Sequence, residues 1–327
     1  MRLSAHIVVA AAILLGLGHG ASAQQPYPTR PITVVVPFAA GGPTDVLARI
    51  LSQHMSQTLG QQIIVETVTG GGGSIGSTRV AKAAPDGYTM VLGNLGTHAA
   101  AVGLYKNLSY DPRVDFEPVM QVAATPMALS VRKNLPLDTL RDLIAYATAN
   151  PGKLTFGSAG TGSASHLTFL LFTHLTRTQI QHVPYRGSSQ ATNDLLSGQI
   201  DMTFEQVVSA APHILSGGVK AVTVTAPTRA AALPNVPSST EAGLPELQTN
   251  VWTAAFVPKG TPKPIVERLN AAFDKAMHDE TVAKRFAELG ADLPAPNDRT
   301  PQALGNLVRS EIDKWVPLIK AAGVVGD

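Results

Sequence analysis

Ile32-Thr33-Val34-Val35-Val36-Pro37-Phe38-Ala39-Ala40-Gly41-Gly42-Pro43-Thr44-Asp45-Val46-Leu47-Ala48-Arg49-Ile50-Leu51 spells out a strand, a turn and the start of a helix in twenty residues. The β-branched run Ile32 to Val36 has the length and composition of a buried strand. From Val46 to Leu59 the apolar positions Val46, Leu47, Ile50, Leu51, Met55 and Leu59 fall on one helical face, and Gly60 is placed to end the helix. Between them lies a Gly/Pro/Thr turn, where the chain reverses direction over the sheet edge.

The same order recurs along the chain. Ile63 to Val65, Thr89 to Leu92, Met127 to Val131, Leu154 to Phe156, Ile180 to Val183 and Ala221 to Thr225 are further strand-like runs, with helical periodicity between them. Alternating strands and helices predict an α/β protein built of mostly parallel sheets with helices on both faces. From Pro264 to Ala322 helical patterns follow one another without a strand, as expected of a terminal segment packed back on a lobe. No internal repeat or low-complexity segment interrupts this, and the Pro-rich stretches at Pro234 to Pro245 and Pro258 to Pro264 are loops or linkers.

Four times a strand leads into a turn of glycine and small hydroxyl residues and then a helix. The turns are Pro37 to Asp45, Gly70-Gly71-Gly72-Gly73-Ser74, Gly157-Ser158-Ala159-Gly160-Thr161-Gly162-Ser163 and Tyr185-Arg186-Gly187-Ser188-Ser189. Glycine lets backbone come close to a ligand, and the first helical turn presents unpaired N–H groups at the positive end of the helix dipole. Such turns cradle anions, and the carboxyl edge of an open α/β sheet is where ligands bind. Taken singly, each turn is equally well explained by loop geometry and capping; taken together, they point to a cleft.

Composition sets limits on what the cleft can do. The 25 basic and 23 acidic residues nearly balance, and no basic run is interleaved with aromatics, which argues against nucleic acid or anionic lipid as partner. With 44% hydrophobic against 15% charged residues the chain is a folded globule. Cysteine is absent, which excludes disulfides, thiolate chemistry and an N-terminal lipid anchor. Arg2, the apolar run Ile7 to Leu17 and Ala21-Ser22-Ala23 have the layout of a signal peptide over residues 1–23, with the mature chain starting at Gln24. The apolar run covers about half the ~20 residues a bilayer span needs. An exported protein with no lipid tether is expected in the periplasm. The remaining length suits two lobes better than one small core.

Two enzyme-like patterns overlap in the second turn. Gly71 to Gly76 satisfies G-x-G-x-x-G, yet it does not follow the first strand and no acid lies about twenty residues on to hold a ribose. The same residues satisfy G-x-S-x-G with Ser74 as nucleophile, and His166, His182 and His213 lie downstream as candidate bases. Consecutive glycines make that turn slack rather than a strained elbow. A periplasmic serine hydrolase using Ser74 is therefore the alternative to a binding protein. The nine histidines are dispersed, with no H-E-x-x-H spacing, so no metal or cofactor is expected.

These turns, together with Tyr27-Pro28-Thr29-Arg30-Pro31-Ile32, Ala84-Pro85-Asp86-Gly87-Tyr88-Thr89, Leu104-Tyr105-Lys106-Asn107-Leu108, Tyr110-Asp111-Pro112, His182-Val183-Pro184-Tyr185, Leu233-Pro234-Asn235-Val236-Pro237 and Glu241-Ala242-Gly243-Leu244-Pro245, resemble the Bug family of substrate-binding proteins of tripartite tricarboxylate transporters. The resemblance covers essentially the whole chain after residue 23. It implies a two-lobed, type II-like periplasmic binding fold with crossing strands as hinge, and a small carboxylate ligand held by amides, hydroxyls and waters. It also implies delivery to transporter membrane subunits by a monomeric receptor; a sensory role in place of transport stays open. The implied lobes are 24–123 plus 251–327, and 124–250.

Carried over residue by residue, the resemblance places ligand contacts at Phe38, Gly41, Gly42, Pro43, Thr44 and Asp45, and at Asn94, Thr97 and His98. The second lobe is expected to add Gly160, Thr161, Gly162, Ser163, His166, Tyr185, Arg186, Gly187, Glu205 and Gln206. Asp45 is expected to cap its helix and shape the first loop, because a lone carboxylate beside an anion site opposes binding. His166 either donates to ligand or caps a carbonyl, Arg186 faces either pocket or solvent, and Trp252 packs at the crossing between lobes. Glu205-Gln206 replaces the family's usual Asp-Asn, Thr67-Val68-Thr69 its Asn-Arg-Pro, and Arg186 its lysine. The longer acid is expected to shrink the pocket or repel a second carboxylate.

Overall fold

A computed structural model describes residues 27–321 and 323; the signal-peptide assignment falls outside the described residues. Strand β1 (Ile32–Val36) has its side chains buried on both faces apart from Thr33, as its unbroken apolar run requires. Helix α1 (Pro43–Leu59) starts three residues earlier than its apolar stripe, because Pro43 at the first position supplies a helical φ and needs no N–H partner. It buries Leu47, Leu51, Met55 and Leu59, and ends at Gly60 in the left-handed conformation (φ 67°).

The remaining elements follow the predicted alternation. They are β2 (Ile63–Thr67), α2 (Ser74–Ala81), β3 (Thr89–Asn94), a π-helical turn at Gly96–Ala100 running into α3 (Ala101–Leu104), and β4 (Phe116–Arg132). The second half comprises α4 (Leu140–Ala149), β5 (Thr155–Ser158), α5 (Ala164–Thr176), β6 (Gln181–Pro184), α6 (Ser188–Ser197), β7 (Met202–Gln206), α7 (Val207–Leu215) and β8 (Val219–Val224). The chain then returns through β9 (Asn250–Pro258) and finishes in α8 (Lys263–Met277), α9 (Glu280–Glu288) and α10 (Pro301–Ala321). Among the described residues no helix is long and apolar enough to cross a membrane.

The nine strands join in the order β2-β1-β3-β9-β4-β7-β5-β6, with β8 also on β4. The outer wings are parallel: β1 pairs with β2 and β3, and β5 with β6 and β7. The crossing strands are antiparallel. The first half of β4 lies against β9, and its second half lies against β7 and β8. One strand of 17 residues therefore runs through both lobes. Pro118 sits beside a register shift, and Pro126 sits where β4 exchanges β9 for β7, so neither missing N–H breaks an ordinary rung. Trp252 on β9 is buried at this crossing, its Nε1 donating to Glu311 at 3.3 Å, as expected.

Two large apolar clusters make up most of the interior. Phe273, Phe286, Leu47, Leu51 and Met55 pack on one face of the first lobe's sheet, while Phe156, Phe169, Phe172 and Phe204 of the second lobe belong to a cluster that continues into the other face of the first, with Val35, Val91, Phe116 and Phe256. Phe156 lies flat on Phe169 with ring centroids 4.0 Å apart.

Candidate functional site

The two lobes meet face to face. Ser189 Oγ donates to Ala40 O across the cleft at 2.8 Å, and the Tyr105 hydroxyl lies 2.6 Å from Thr161 O and 2.8 Å from Gly71 O. Gly72 rests so closely on the Thr161 carbonyl that any side chain there would collide with it. Gly187 is pressed as closely against Ala39. The quadruple-glycine turn and Gly160-Thr161-Gly162 are thus lobe-to-lobe contacts.

Between these contacts lies a cavity, partly open to solvent, with about 340 Å³ of free space, lined by Phe38, Pro43, Thr44, Asn94, Met127, Ala159, Ser163, Ala164, Ser165, Ser188, Phe204, Glu205 and Gln206. Four helices begin at its wall: α1 at Pro43, α5 at Ala164, α6 at Ser188 and α7 just after Gln206. Their dipoles put positive ends at one place, although no Lys, Arg or His lines the cavity. Three of the four sequence turns feed it. Phe38, Met127 and Phe204 supply an apolar wall.

Individual side chains are fixed by the turns they belong to. Ser163 is the N-cap of α5, accepting from His166 N, and its hydroxyl is 3.0 Å from that of Ser165, which accepts from Ala159 N. Asn94 Oδ1 accepts from the backbone N–H groups of Gly96 and Thr97, so Asn94 both shapes the π-turn and faces the cavity. Glu205, at the end of β7, is 4% exposed. Burial pushes its carboxyl up to about 8, against the opposing pull of hydrogen bonds from Ser188, Thr192 and the Gln206 backbone. Gln206 is equally buried and its Oε1 finds no hydrogen-bond donor.

Of the residues singled out in the sequence, Phe38, Pro43, Thr44, Asn94, Ser163, Glu205 and Gln206 come together at the cavity. Others hold its frame. Asp45 is not the cap of α1; Gly42 takes that place with extended backbone, and Asp45 in the first turn accepts from Gly41 N at 2.8 Å and from Arg49 Nε at 2.9 Å. It shapes the first loop as expected, by a different bond. Gly187 caps α6. Thr97 binds back to the Asn94 backbone, and His98 points into the core, stacked on Phe256 at 3.9 Å and lowered to about 3 by complete burial. His166 neither reaches the cavity nor caps a carbonyl. Its Nδ1 accepts from Gly162 N at 3.1 Å, its ring stacks on His182, and burial lowers it to about 3. Tyr185 bonds Asp194, and Arg186 is exposed.

Met127, Ala159, Ala164, Ser165, Ser188 and Phe204 line the cavity without having been singled out individually. Ser188 and Ser165 follow glycine turns at the first helical turn, which was a readable signal; Met127 and Phe204 depend on β4–β7 pairing, which was not. The hydrolase alternative gains nothing from the geometry, since the hydrogen bonds of His166 and His182 go to Gly162 and Ser158 rather than Ser74. Among the described residues no cluster of His, Cys, Asp or Glu could hold a metal.

Two α/β lobes joined by crossing strands, closed on a cavity of helix N-termini, define the class of periplasmic solute-binding proteins. A sequence profile described as the tripartite tricarboxylate transporter family receptor matches residues 47–324, and the chain belongs to that family. It is similar to the periplasmic binding protein BugD (39% identity, TM-score 0.88, covering 91% of this chain and 99% of that one). It is similar also to MatC from Rhodopseudomonas palustris with bound malate (43%, 0.87, covering 90% and 100%). A second R. palustris protein, solved with adipate, matches at 35% and 0.87, covering 91% and 99%.

Proposed function

We propose that this protein captures a small carboxylate in the cavity between lobes 24–123 plus 251–327 and 124–250, and hands it unchanged to membrane subunits of a tripartite tricarboxylate transporter. It would work in the periplasm once residues 1–23 are removed. The observation that carries this reading is the convergence of four helix N-termini on a cavity without a basic side chain. Such a site neutralises an anion with backbone dipoles and hydroxyls, which suits reversible capture. The malate and adipate bound by the two R. palustris relatives belong to the same ligand class. Thr44, Ser163, Ser165 and Asn94 would orient the carboxylate, and Phe38, Met127 and Phe204 would pack its carbon chain. Closure excludes water and strengthens each of these bonds, so the ligand favours the closed state.

A thermal-shift screen of mono-, di- and amino-carboxylates against sugars and inorganic cations tests this. A ligand at 100 times its Kd adds about 2.7 kcal/mol of stability. A shift confined to sugars or cations would overturn the proposal, as would turnover of ester or amide substrates that disappears in Ser74→Ala.

A further inference from the structure

Away from the cavity, the two lobes also adjoin through helices. Helix α5 packs against β7 of the second lobe, and α10 packs on the π-helical turn, on α3 and on β4. Between α5 and α10 runs a groove, partly open to solvent, with about 550 Å³ of free space. Leu167, Leu170, Leu171 and His174 form one wall and Trp315, Leu318 and Ile319 the other, each set spaced as one face of a helix. Leu167, Trp315 and Ile319 are its buried floor, and Leu318 is 47% exposed. The Trp315 indole N–H donates to Glu311 at 3.1 Å, so the polar edge of that ring is already satisfied. Among the described residues His174 is the only titratable side chain on the walls. The groove therefore suits an apolar occupant, and apolar walls left facing water are costly.

The end of α10 points to what that occupant is. Gly323 is left-handed (φ 67°), and its N–H donates to Lys320 O at 3.1 Å. This is the inner bond of a Schellman ending, with the glycine as the first residue beyond the helix cap. In such an ending the residue after the glycine donates to the carbonyl four positions before the glycine, and an apolar side chain there packs on that residue or the one preceding it. Counted back from Gly323, those residues are Ile319 and Leu318, both on the groove wall. The residues that follow Gly323 are Val324 and Val325.

We propose that Val324 and Val325 fill the groove between α10 and α5, so that the end of the chain latches the two lobes together in the closed arrangement. The burial they gain against α5 exists only while α5 lies beside α10. It favours closure without touching the ligand, and it is lost when the lobes part. The latch rests on the reading of the lobes as closing on a captured carboxylate, and it adds a contribution to affinity from outside the cavity.

The absence of cysteine from the chain makes the test direct. Val324→Cys combined with Leu171→Cys, or with Leu170→Cys should the first pair melt abnormally, is expected to form a disulfide within one chain under mild oxidation, seen as a faster monomer band without reductant. Removing residues 324–327 from the otherwise full chain should raise the fluorescence of the apolar dye anilinonaphthalene sulfonate, because the groove is uncovered. The same deletion, which leaves every cavity residue in place, should weaken calorimetric binding of malate or adipate about five- to tenfold. A disulfide in neither pair would overturn the proposal, and one formed between chains would do so by making a second copy the occupant. Affinity within about twofold of the natural protein after the deletion would overturn it too, since a tail packed on α10 alone has no effect on closure. If neither acid binds the natural protein, the reading of the cavity is at fault, and the cross-link and the dye decide whether the tail bridges the lobes.

Discussion

Replacing Gly187 with alanine separates closure from folding. The Gly187 backbone is extended (φ 178°), so alanine brings no backbone strain. The added methyl, however, falls onto Ala39 of the opposite lobe, 2.8 Å from its nitrogen, where ordinary contact begins at 3.4 Å. Relief requires the lobes to stand off by roughly 0.5–1 Å, enough to forfeit a quarter to a half of each van der Waals contact in the seam. The 2.8 Å bond from Ser189 Oγ to Ala40 O, two residues away, stretches to the limit of a hydrogen bond. Losing it costs about 1 kcal/mol and the overpacking about 1–3 kcal/mol. Together, about 2–4 kcal/mol makes ligand binding about 30- to 900-fold weaker. Calorimetric titration with the acid giving the largest thermal shift measures this, alongside melting without ligand. Melting should barely move, because the methyl lies between lobes and in neither core. Affinity within about threefold of the natural protein, or a clear loss of ligand-free stability, would refute the reasoning.

Phe156→Ala removes a fully buried ring stacked on Phe169 and should cost about 3–5 kcal/mol in urea unfolding; a loss below about 1 kcal/mol would mean the second lobe's core is not organised around that pair. Stability should peak near pH 6.5. Below it, the unfolded chain protonates histidines that burial holds neutral in the folded state, with His98 and His166 lowered to about 3 and His182 to about 4, so stability falls as pH falls from 6.5 towards 4. Above it, the folded chain retains the Glu205 proton that the unfolded chain has already lost, so stability falls as pH rises from 6.5 to about 8. Each group contributes at most about 1.4 kcal/mol per pH unit. Glu205→Gln should flatten the alkaline side of the chemical-denaturation profile and steepen the acid side above about pH 4.5, where the Glu205 proton partly offsets the histidines; an unaltered alkaline slope would contradict the assignment.

Local patterns carried the fold a long way. The β1-turn-α1 unit is legible because its periodicity switches cleanly from an apolar run to a helical stripe, and Gly60 marks the end. The 17-residue β4 is not, because Pro118 and Pro126 interrupt its pattern and are tolerated only through a register shift and a change of pairing partner. The alternation points to parallel pairing and is right for the wings, but antiparallel crossing strands depend on contacts far apart in sequence. At the site, the glycine turns were visible because backbone geometry is local. Side-chain direction was not: His98 lies within a π-turn that sends it into the core, and His166 is turned back on its own loop by the Gly162 N–H. Asp45 lies one helical turn from the expected bond, displaced by Pro43 at the first position.

The strand order bears on how such a chain can be made. In the first lobe β9 lies between β3 and β4, so the sheet that β1, β2 and β3 begin has no way to join β4 until residues 250–258 are available. Every element of the second lobe's sheet, in contrast, precedes β9. The middle of the chain can therefore complete its sheet while the N-terminal third waits with β3 unpaired on one side. Synthesis from the N-terminus yields the opposite of a first-in, first-folded order. A chain that cannot close its leading lobe before its final quarter emerges stays threadable for most of its synthesis.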